Sequence, residues 1–394
     1  MMHTKRDTSG SVRRLVGSSA IHPLMLAGLL AMPAISAAQG TISTQGFGYP
    51  TGGLSTRAAA AGGGFGEFDF SSPRNPSSSL GWGRGGLYFQ YEPEFRRVTA
   101  GPLSDNTMTA RFPIWMAGMQ LGSRAMGTIT SSTLLDRTWA TRVRGGQILG
   151  PDSVGYEERV ESSGAINDIR LGVAYSVRTS FSVGVGLHGY TGENRMNLTR
   201  QFDDSLRYGT LNRELTIGYL GTAFSAGATW RPNRQFAVAA SMRAGGSLDV
   251  RIADTLIAKG SLPNRFGAGL RYDGVPGASI GISVERTQWS SLGELSQTSL
   301  TANDTWEVGA GLELAGPKFR AVPSLLYLGY RRRDLPFSVG GEVVPERFLS
   351  GGAGIPLAGP RVILDMALQH ASRGPVAGVS ERAWIMSLGF TVRP

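Results

Sequence analysis

The chain has 394 residues, with 56 glycines, 20 prolines, no cysteine and 41% hydrophobic residues. The missing cysteine excludes disulfides, thiolate metal sites and cysteine nucleophiles; the glycine content disfavours long helices; and the chain is too apolar to read as disordered. The formal charge of +10 is carried almost entirely by arginine, because Lys5, Lys259 and Lys318 are the only lysines, and the arginines are scattered along the chain rather than gathered into the basic face that nucleic acid requires.

The N-terminus predicts a secretory signal peptide over residues 1–38. Lys5, Arg6, Arg13 and Arg14 form a basic region, 24–34 is a short apolar run, and Ser36, Ala37 and Ala38 supply small residues at a cleavage site before Gln39. The run is too short to span a bilayer, and Pro33 ends it. Beyond it no apolar run approaches the roughly 18 residues that suggest a membrane-spanning helix. The mature chain is therefore expected to be soluble outside the cytoplasm or a membrane β-barrel.

Residues 39–84 are rich in Gly and Ser, with scattered aromatics at Phe47, Tyr49, Phe65, Phe68 and Phe70. An idle tail has no use for these rings, whereas a segment folded into the mouth of a barrel does. From residue 85 onward the chain alternates with period two. Phe236, Val238, Ala240 and Met242 take one parity, and Ala237, Ala239, Ser241 and Arg243 the other. Fourteen such segments are expected, at 86–99, 106–113, 116–140, 154–177, 180–192, 212–231, 235–252, 258–273, 277–290, 303–315, 319–333, 345–357, 360–371 and 381–392. Many reach the nine to eleven residues that a tilted strand needs to cross a bilayer. The connections sort into short turns (113–115, 177–180, 231–235, 273–277, 316–318, 357–360) and longer loops (141–153, 192–211, 291–302, 334–344, 371–380), with only modest links at 100–105 and 253–257, the asymmetry of outer-membrane barrels. Trp230, Tyr272, Trp306 and Trp384 fall near strand ends, where an interfacial aromatic girdle belongs. The fold class expected is all-β: a transmembrane antiparallel β-barrel of about 14 strands over 85–394, with an N-terminal hatch (plug) segment over 39–84.

The run "STRAAAAGGGFGEFDFSSPRNPSSSL", followed directly by "GGLYFQYEPEF", resembles the start of the FadL family of outer-membrane transport proteins for hydrophobic molecules. Asn75-Pro76-Ser77 stands where that family has Asn-Pro-Ala, and Glu67 and Asp69 stand near its acidic patch. The resemblance implies a fourteen-stranded barrel plugged by an N-terminal hatch. The stretch "ERFLSGGAGIPLAGPRVILDMALQHASRG" is also similar to the last strands of FadL-like envelope proteins, including the PorV-type barrels of type IX secretion. Three departures stand out: Ser77 replaces Ala, the glycine stretch is altered, and the chain ends "GFTVRP" without a terminal aromatic.

Enzymatic motifs do not hold up in this context. "GVGLHG" (184–189) fits G-x-G-x-x-G and "GASIG" (277–281) fits G-x-S-x-G, but both lie in alternating strand rather than in a strand-to-helix turn. The two histidines after the leader, His188 and His370, are too few for a metal site. No cofactor and no metal is expected. Arg331-Arg332-Arg333 is expected near an outer loop as a solvated strand end or a lipopolysaccharide contact. The ligand-binding candidates are Phe65, Phe68, Phe70, Asn75 and Pro76. The candidates for plug–barrel contacts are Glu92, Glu94 and Arg96, which share one parity of the first strand. The function expected is passive uptake of hydrophobic small molecules, long-chain fatty acids or lipids among them, across the outer membrane. The alternatives are a PorV-like partner of secretion-system proteins and a general porin; neither an enzyme nor a nucleic-acid partner is expected.

Overall fold

A strand whose two faces differ in polarity is stable only where each face meets its own kind of medium. Here the two media are separated by closing the sheet on itself. The computed structural model describes residues 42–44, 46–295, 302–319 and 322–394; the expected signal peptide, 1–38, lies outside the described residues. The strands are β1 (Gly85–Ala100), β2 (Leu103–Arg111 and Ile114–Gln120), β3 (Ala125–Asp136 and Trp139–Leu149), β4 (Asp152–Arg178), β5 (Phe181–Phe202), β6 (Leu211–Trp230), β7 (Phe236–Ile252), β8 (Thr255–Ser261 and Arg265–Val275), β9 (Ala278–Thr287), β10 (Thr305–Phe319), β11 (Val322–Asp334), β12 (Pro345–Pro356), β13 (Val362–Val376) and β14 (Val379–Val392). Each pairs antiparallel with the next, and β14 returns to pair with β1, Trp384 opposite Phe95 and Phe390 opposite Phe89. The result is a closed 14-strand antiparallel barrel.

The parity read from the sequence is the parity of the wall. On β7, Phe236, Val238 and Met242 are 39–41% exposed on the outside, while Ala237, Ala239 and Ser241 are at most 7% exposed on the inside. The same outward row continues through Leu270, Ile282, Val308, Leu328, Leu368 and Leu388. The inward row is polar: Thr130, Arg170, His188, Ser225, Ser283, Glu307, Arg331 and Gln369 are all buried. A closed apolar cylinder with a polar interior is a transmembrane barrel, because no strand edge is left to present unpaired backbone to lipid.

Several boundaries differ from the sequence reading. The expected turn at 113–115 is an interruption within β2, since both of its pieces pair with β1. The expected loops at 141–153 and 192–211 are largely strand: β3 runs to Leu149, turns at Gly150-Pro151, and returns as the 27-residue β4, while β5 extends to Phe202. These extensions carry polar residues on both faces, Arg142 and Arg144 among them. A strand standing in water has no apolar face, so alternation cannot reveal it. The loop-length asymmetry is correspondingly weaker than expected, because tight turns also occur at Gly101-Pro102, Ala253-Asp254 and Ala377-Gly378. Arg331-Arg332-Arg333 lies within β11, and Arg331 and Arg333 point inward, each 5% exposed.

The wall has a seam between β2 and β3. The outer piece of β2, Leu103–Arg111, pairs with β1, and the outer piece of β3, Trp139–Leu149, pairs with β4. Among the described residues no ladder joins these two pieces to each other. At the foot of the seam Arg111 Nε donates to Asp136, and the N-terminal segment supplies a two-residue strand, Tyr49–Pro50, that pairs with Asp136 and Leu135.

Replacing the outward Ile282 by Arg is expected to cost about 2–4 kcal/mol of barrel stability if that position lies near the bilayer midplane. The measurement is the folded fraction in lipid vesicles, read by heat-dependent gel mobility across a urea series.

Candidate functional site

The N-terminal segment from Ile42 to Arg84 contacts the inward parity of the wall at three levels. At the level of the seam, Tyr49 sits in a belt of buried charge. Arg373 donates to Glu346 Oε1 (2.5 Å), Glu94 Oε1 (2.8 Å) and Glu381. Arg96 pairs with Glu94 and Glu381 at 3.1 Å each, and Arg333 Nε donates to Glu346 Oε2 at 2.5 Å. The Tyr49 hydroxyl donates to Glu346 Oε1 (2.9 Å) and accepts from Arg373 Nη2 (3.0 Å). Its ring lies 4.7–5.1 Å from the guanidinium carbons of Arg111, Arg333 and Arg373, a cation–π cage. Burial, and after it the Glu346 carboxylate, push the Tyr49 phenol above its usual range, so it stays a neutral donor. Ser43 donates to Glu381 Oε1 at 2.9 Å.

At mid-height the segment lies against the wall backbone to backbone. Ser55 caps the short helix α1 (Thr56–Ala60), accepting from Ala58 N at 3.1 Å and donating to Asp69; Asp69 also accepts from Ser72 Oγ at 2.7 Å, folding the segment back on itself. The run that follows α1 rests on inward glycines of β9, β10 and β11. A Cβ on Gly311 would lie 2.1 Å from Ala61 O, and one on Gly329 would lie 2.1 Å from Gly62 N. No larger residue fits at either position while the segment stays in place. Ion pairs flank this contact. Arg57 binds Glu313 in bidentate fashion (2.6 and 2.7 Å). Arg74 Nη2 donates to Glu307 Oε1 (2.6 Å) and Gly52 O (2.7 Å). Arg265 Nη2 donates to Glu67 Oε1 (3.1 Å), Arg74 O (3.0 Å) and Ser241 Oγ (2.6 Å).

At the third level, on the rim that carries both ends of the barrel, Asn75 begins a 3-10 turn, Pro76–Trp82. Asn75 Oδ1 accepts from Ser77 N (3.0 Å) and Ser77 Oγ (2.8 Å), and its Nδ2 donates to Glu67 O (3.0 Å). Gly227 and Gly184 leave room for Asn75 and Pro76, since Cβ atoms there would meet them at 2.1 and 2.5 Å. Trp82, 1% exposed, closes the packing among Tyr88, Ile114, Met116 and Met126.

The sequence-derived candidates divide accordingly. Phe65 is buried against Gly281, among Ala60, Ala61, Tyr327 and Ala367, and serves as an anchor. Phe70 packs edge-on to Trp82 at 4.9 Å. Asn75 and Pro76 fasten the turn. Phe68, half-buried, borders a recess of about 450 Å3 at this rim. Glu94 and Arg96 belong to the charge belt around Tyr49, whereas Glu92 accepts from Gln90 at 3.3 Å. Sequence reading named Tyr49 only as a plug aromatic and missed Arg111, Glu346, Arg373 and Glu381. Inward parity was the available signal for these four, but only strand register brings the charges of six strands to one height.

A second inward array joins β4, β5 and β6. His188 Nδ1 lies 2.8 and 3.0 Å from the Asp168 carboxylate oxygens, and Nε2 lies 2.8 Å from Ser225 Oγ. The Tyr190 hydroxyl donates to Asp168 Oδ2 at 3.0 Å. The connectivity is that of a hydrolase triad, but the setting is not. The backbone N–H groups of this stretch point along the sheet into the ladders with β5 and β7 and are not free to hold an oxyanion. The adjoining cavity, about 80 Å3, is lined by Arg74, Arg243, Arg265, Glu285 and Glu307 as well; it suits a few ordered waters. The array acts as polar filling of the bore.

No protein-family model matches this sequence, and no curated protein is similar to it in sequence. The fold is shared with solved barrels. A FadL homologue from Pseudomonas aeruginosa superposes with TM-score 0.59 at 13% identity, covering 88% of this chain and 99% of that one. The toluene transporter TbuX of Ralstonia pickettii gives 0.57 at 14% identity, with 86% and 98% covered. The monoaromatic hydrocarbon channel CymD gives 0.54 at 14% identity, with 87% and 98% covered. The fold of this chain is thus the one seen in FadL-type barrels, in agreement with the fold implied by the resemblance read from residues 55–95; identities this low establish the fold alone.

Replacing Gly311 by Val is expected to displace the segment from the wall, and removing the Arg57 guanidinium (Arg57→Ala) to leave Glu313 buried and unpaired at a cost of roughly 3–5 kcal/mol. Limited proteolysis of the folded barrel reads both: cleavage within 46–84 is expected in each variant under conditions where the parent chain is protected.

Proposed function

We propose that this protein is a passive outer-membrane channel for hydrophobic small molecules, with residues 39–84 as its hatch and residues 1–38 as the export signal. The observation that carries this reading is the pairing of a filled bore with a seamed wall. The N-terminal segment occupies the bore on three levels, which argues against a general diffusion pore. Beside it, the outer pieces of β2 and β3 share no backbone ladder; Arg111–Asp136 closes the foot of this seam, where the segment's own Tyr49–Pro50 pairs with β3. Pro50, Thr133 and Leu134, at the foot of the seam, also line the internal cavity. A shift of the Tyr49 region therefore opens inner space toward the wall without emptying the bore.

A hydrophobic solute gains about 25 cal/mol for each Å2 of apolar surface withdrawn from water and needs no coupled energy to move down its gradient. Phe68 and the recess beneath it are the proposed end of the path. The names of the structural neighbours, which specify toluene and monoaromatic hydrocarbons, support apolar cargo. The reaction class is translocation without bond making.

Cells lacking their own hydrophobic-solute channels are expected to take up radiolabelled toluene or oleate faster when they express this chain. Deleting 46–84 is expected to replace that selective uptake with ion conductance in planar bilayers. No gain in uptake, together with co-purification of a stoichiometric exported protein, would establish the assembly role instead.

A further inference from the structure

The rim that carries both ends of the barrel is unusually one-signed. Its turns, at 121–124, 179–180, 231–235, 276–277 and 357–361, contain no acidic residue. Arg84, Arg124, Arg178, Arg231, Arg234 and Arg361 are all exposed there. Asp273, the nearby acid on β8, is taken by Arg271 Nε at 2.8 Å and by Ser279 Oγ at 2.5 Å. Like charges gathered on one edge repel one another and raise the local concentration of anions.

The recess of about 450 Å3 opens within this ring. Three of the ring arginines, Arg124, Arg178 and Arg231, line it, each from a different hairpin turn. None of the three makes an ion pair among the described residues, and no Asp or Glu lines the recess. Hydroxyls of Ser77, Ser123, Ser182 and Thr229 border it, and Phe68, Leu80, Met126 and Phe181 supply an apolar side. The turns that present the arginines are fixed to the wall: Ser176 N donates to Arg124 O at 2.8 Å, and Arg231 N to Ser180 O at 2.7 Å. The arginines are thus held by a rigid frame and carry donors without acceptors. Inward arginines such as Arg74, Arg111, Arg333 and Arg373 are matched to carboxylates; these three rim arginines are not.

We infer that this recess is a binding site for the oxyanion head of an amphiphile, a phosphate or a carboxylate, with the apolar side taking the start of its tail. Guanidinium forks bind both anions with charge-assisted, bidentate hydrogen bonds, and the hydroxyl of Ser123 serves as an additional donor. Two sources share this chemistry: an anionic phospholipid of the leaflet at this rim, and a free fatty carboxylate arriving through the bore. The site stands on the rim's geometry and holds whether or not the bore conducts solute.

The test uses the full chain purified in dodecyl maltoside, with binding followed by native mass spectrometry and titration at low ionic strength. The probes are dodecanoate and dioleoyl-phosphatidylglycerol; dodecanol and dioleoyl-phosphatidylcholine are their uncharged or zwitterionic counterparts. At least one anionic probe is expected to bind at least tenfold more tightly than its counterpart. Arg124→Gln/Arg178→Gln/Arg231→Gln is expected to abolish that preference. Arg234→Gln/Arg361→Gln, on the same rim but outside the recess, is expected to keep it. Preference for dodecanoate alone assigns the site to solute, and preference for phosphatidylglycerol assigns it to lipid. Heat-dependent gel mobility verifies that each variant is folded. Equal binding of anionic and neutral probes overturns the inference. So does an unchanged preference in the triple variant, or an equal loss in the double variant, which would leave only a diffuse ring of charge.

Discussion

Everything in this molecule follows from the cost of an unpaired backbone group in hydrocarbon. The hydrocarbon core holds no water to satisfy an N–H or a C=O, so each strand must find two neighbours, and the last must find the first. Closure between β14 and β1 meets that demand and at the same time divides every strand into an apolar outside and a polar inside. Between the outer pieces of β2 and β3, where no ladder joins them, Arg111 and Asp136 close the foot of the gap and a borrowed two-residue strand pairs with β3.

Closure creates a second problem, because a bore lined by charges must be kept satisfied. Burying a lone charge is far costlier than burying a matched pair. The N-terminal segment and the wall answer each other with matched groups: Arg57 with Glu313, Arg74 with Glu307, Arg265 with Glu67, and Tyr49 inside the Glu346–Arg373 belt. Arginine suits these sites because its rigid fork binds a carboxylate with two hydrogen bonds and its flat face stacks on aromatic rings. Between the ion pairs, glycines on β9, β10 and β11 let backbone lie on backbone. The same logic explains the basic balance of the chain: the inward arginines are largely neutralised, and much of the uncompensated charge stands on the rim around the recess.

Much of the architecture was legible before the coordinates. Phe236 through Arg243 announced their two faces, and the stretch from Ser55 to Leu80 announced that it was not a strand. Elements that stand clear of lipid were not legible in this way. The outer parts of β3 and β5 carry polar residues on both faces, so the period that betrays a strand is weak there, whereas the outer part of β4 falls within the expected segment 154–177. Of the expected ligand residues, Phe65, Phe70, Asn75 and Pro76 are fasteners, and Phe68 alone among them borders the recess. A phenylalanine in a glycine-rich segment looks the same whether it packs against glycine or faces open space.

The sequence by itself determined the medium on each side of the wall, the strand count and the existence of a separate segment ahead of β1, because these depend on local alternation and composition. Tertiary structure alone decided which charges meet, since Glu94, Asp136, Arg333, Glu346, Arg373 and Glu381 come from six strands whose relative heights are set by register around a closed ring. It alone decided that three turns far apart in the chain would aim unpaired arginines at one hollow. A pattern of period two records which way a side chain points but carries no record of its height on the cylinder, and both the fastened bore and the basic recess are matters of height.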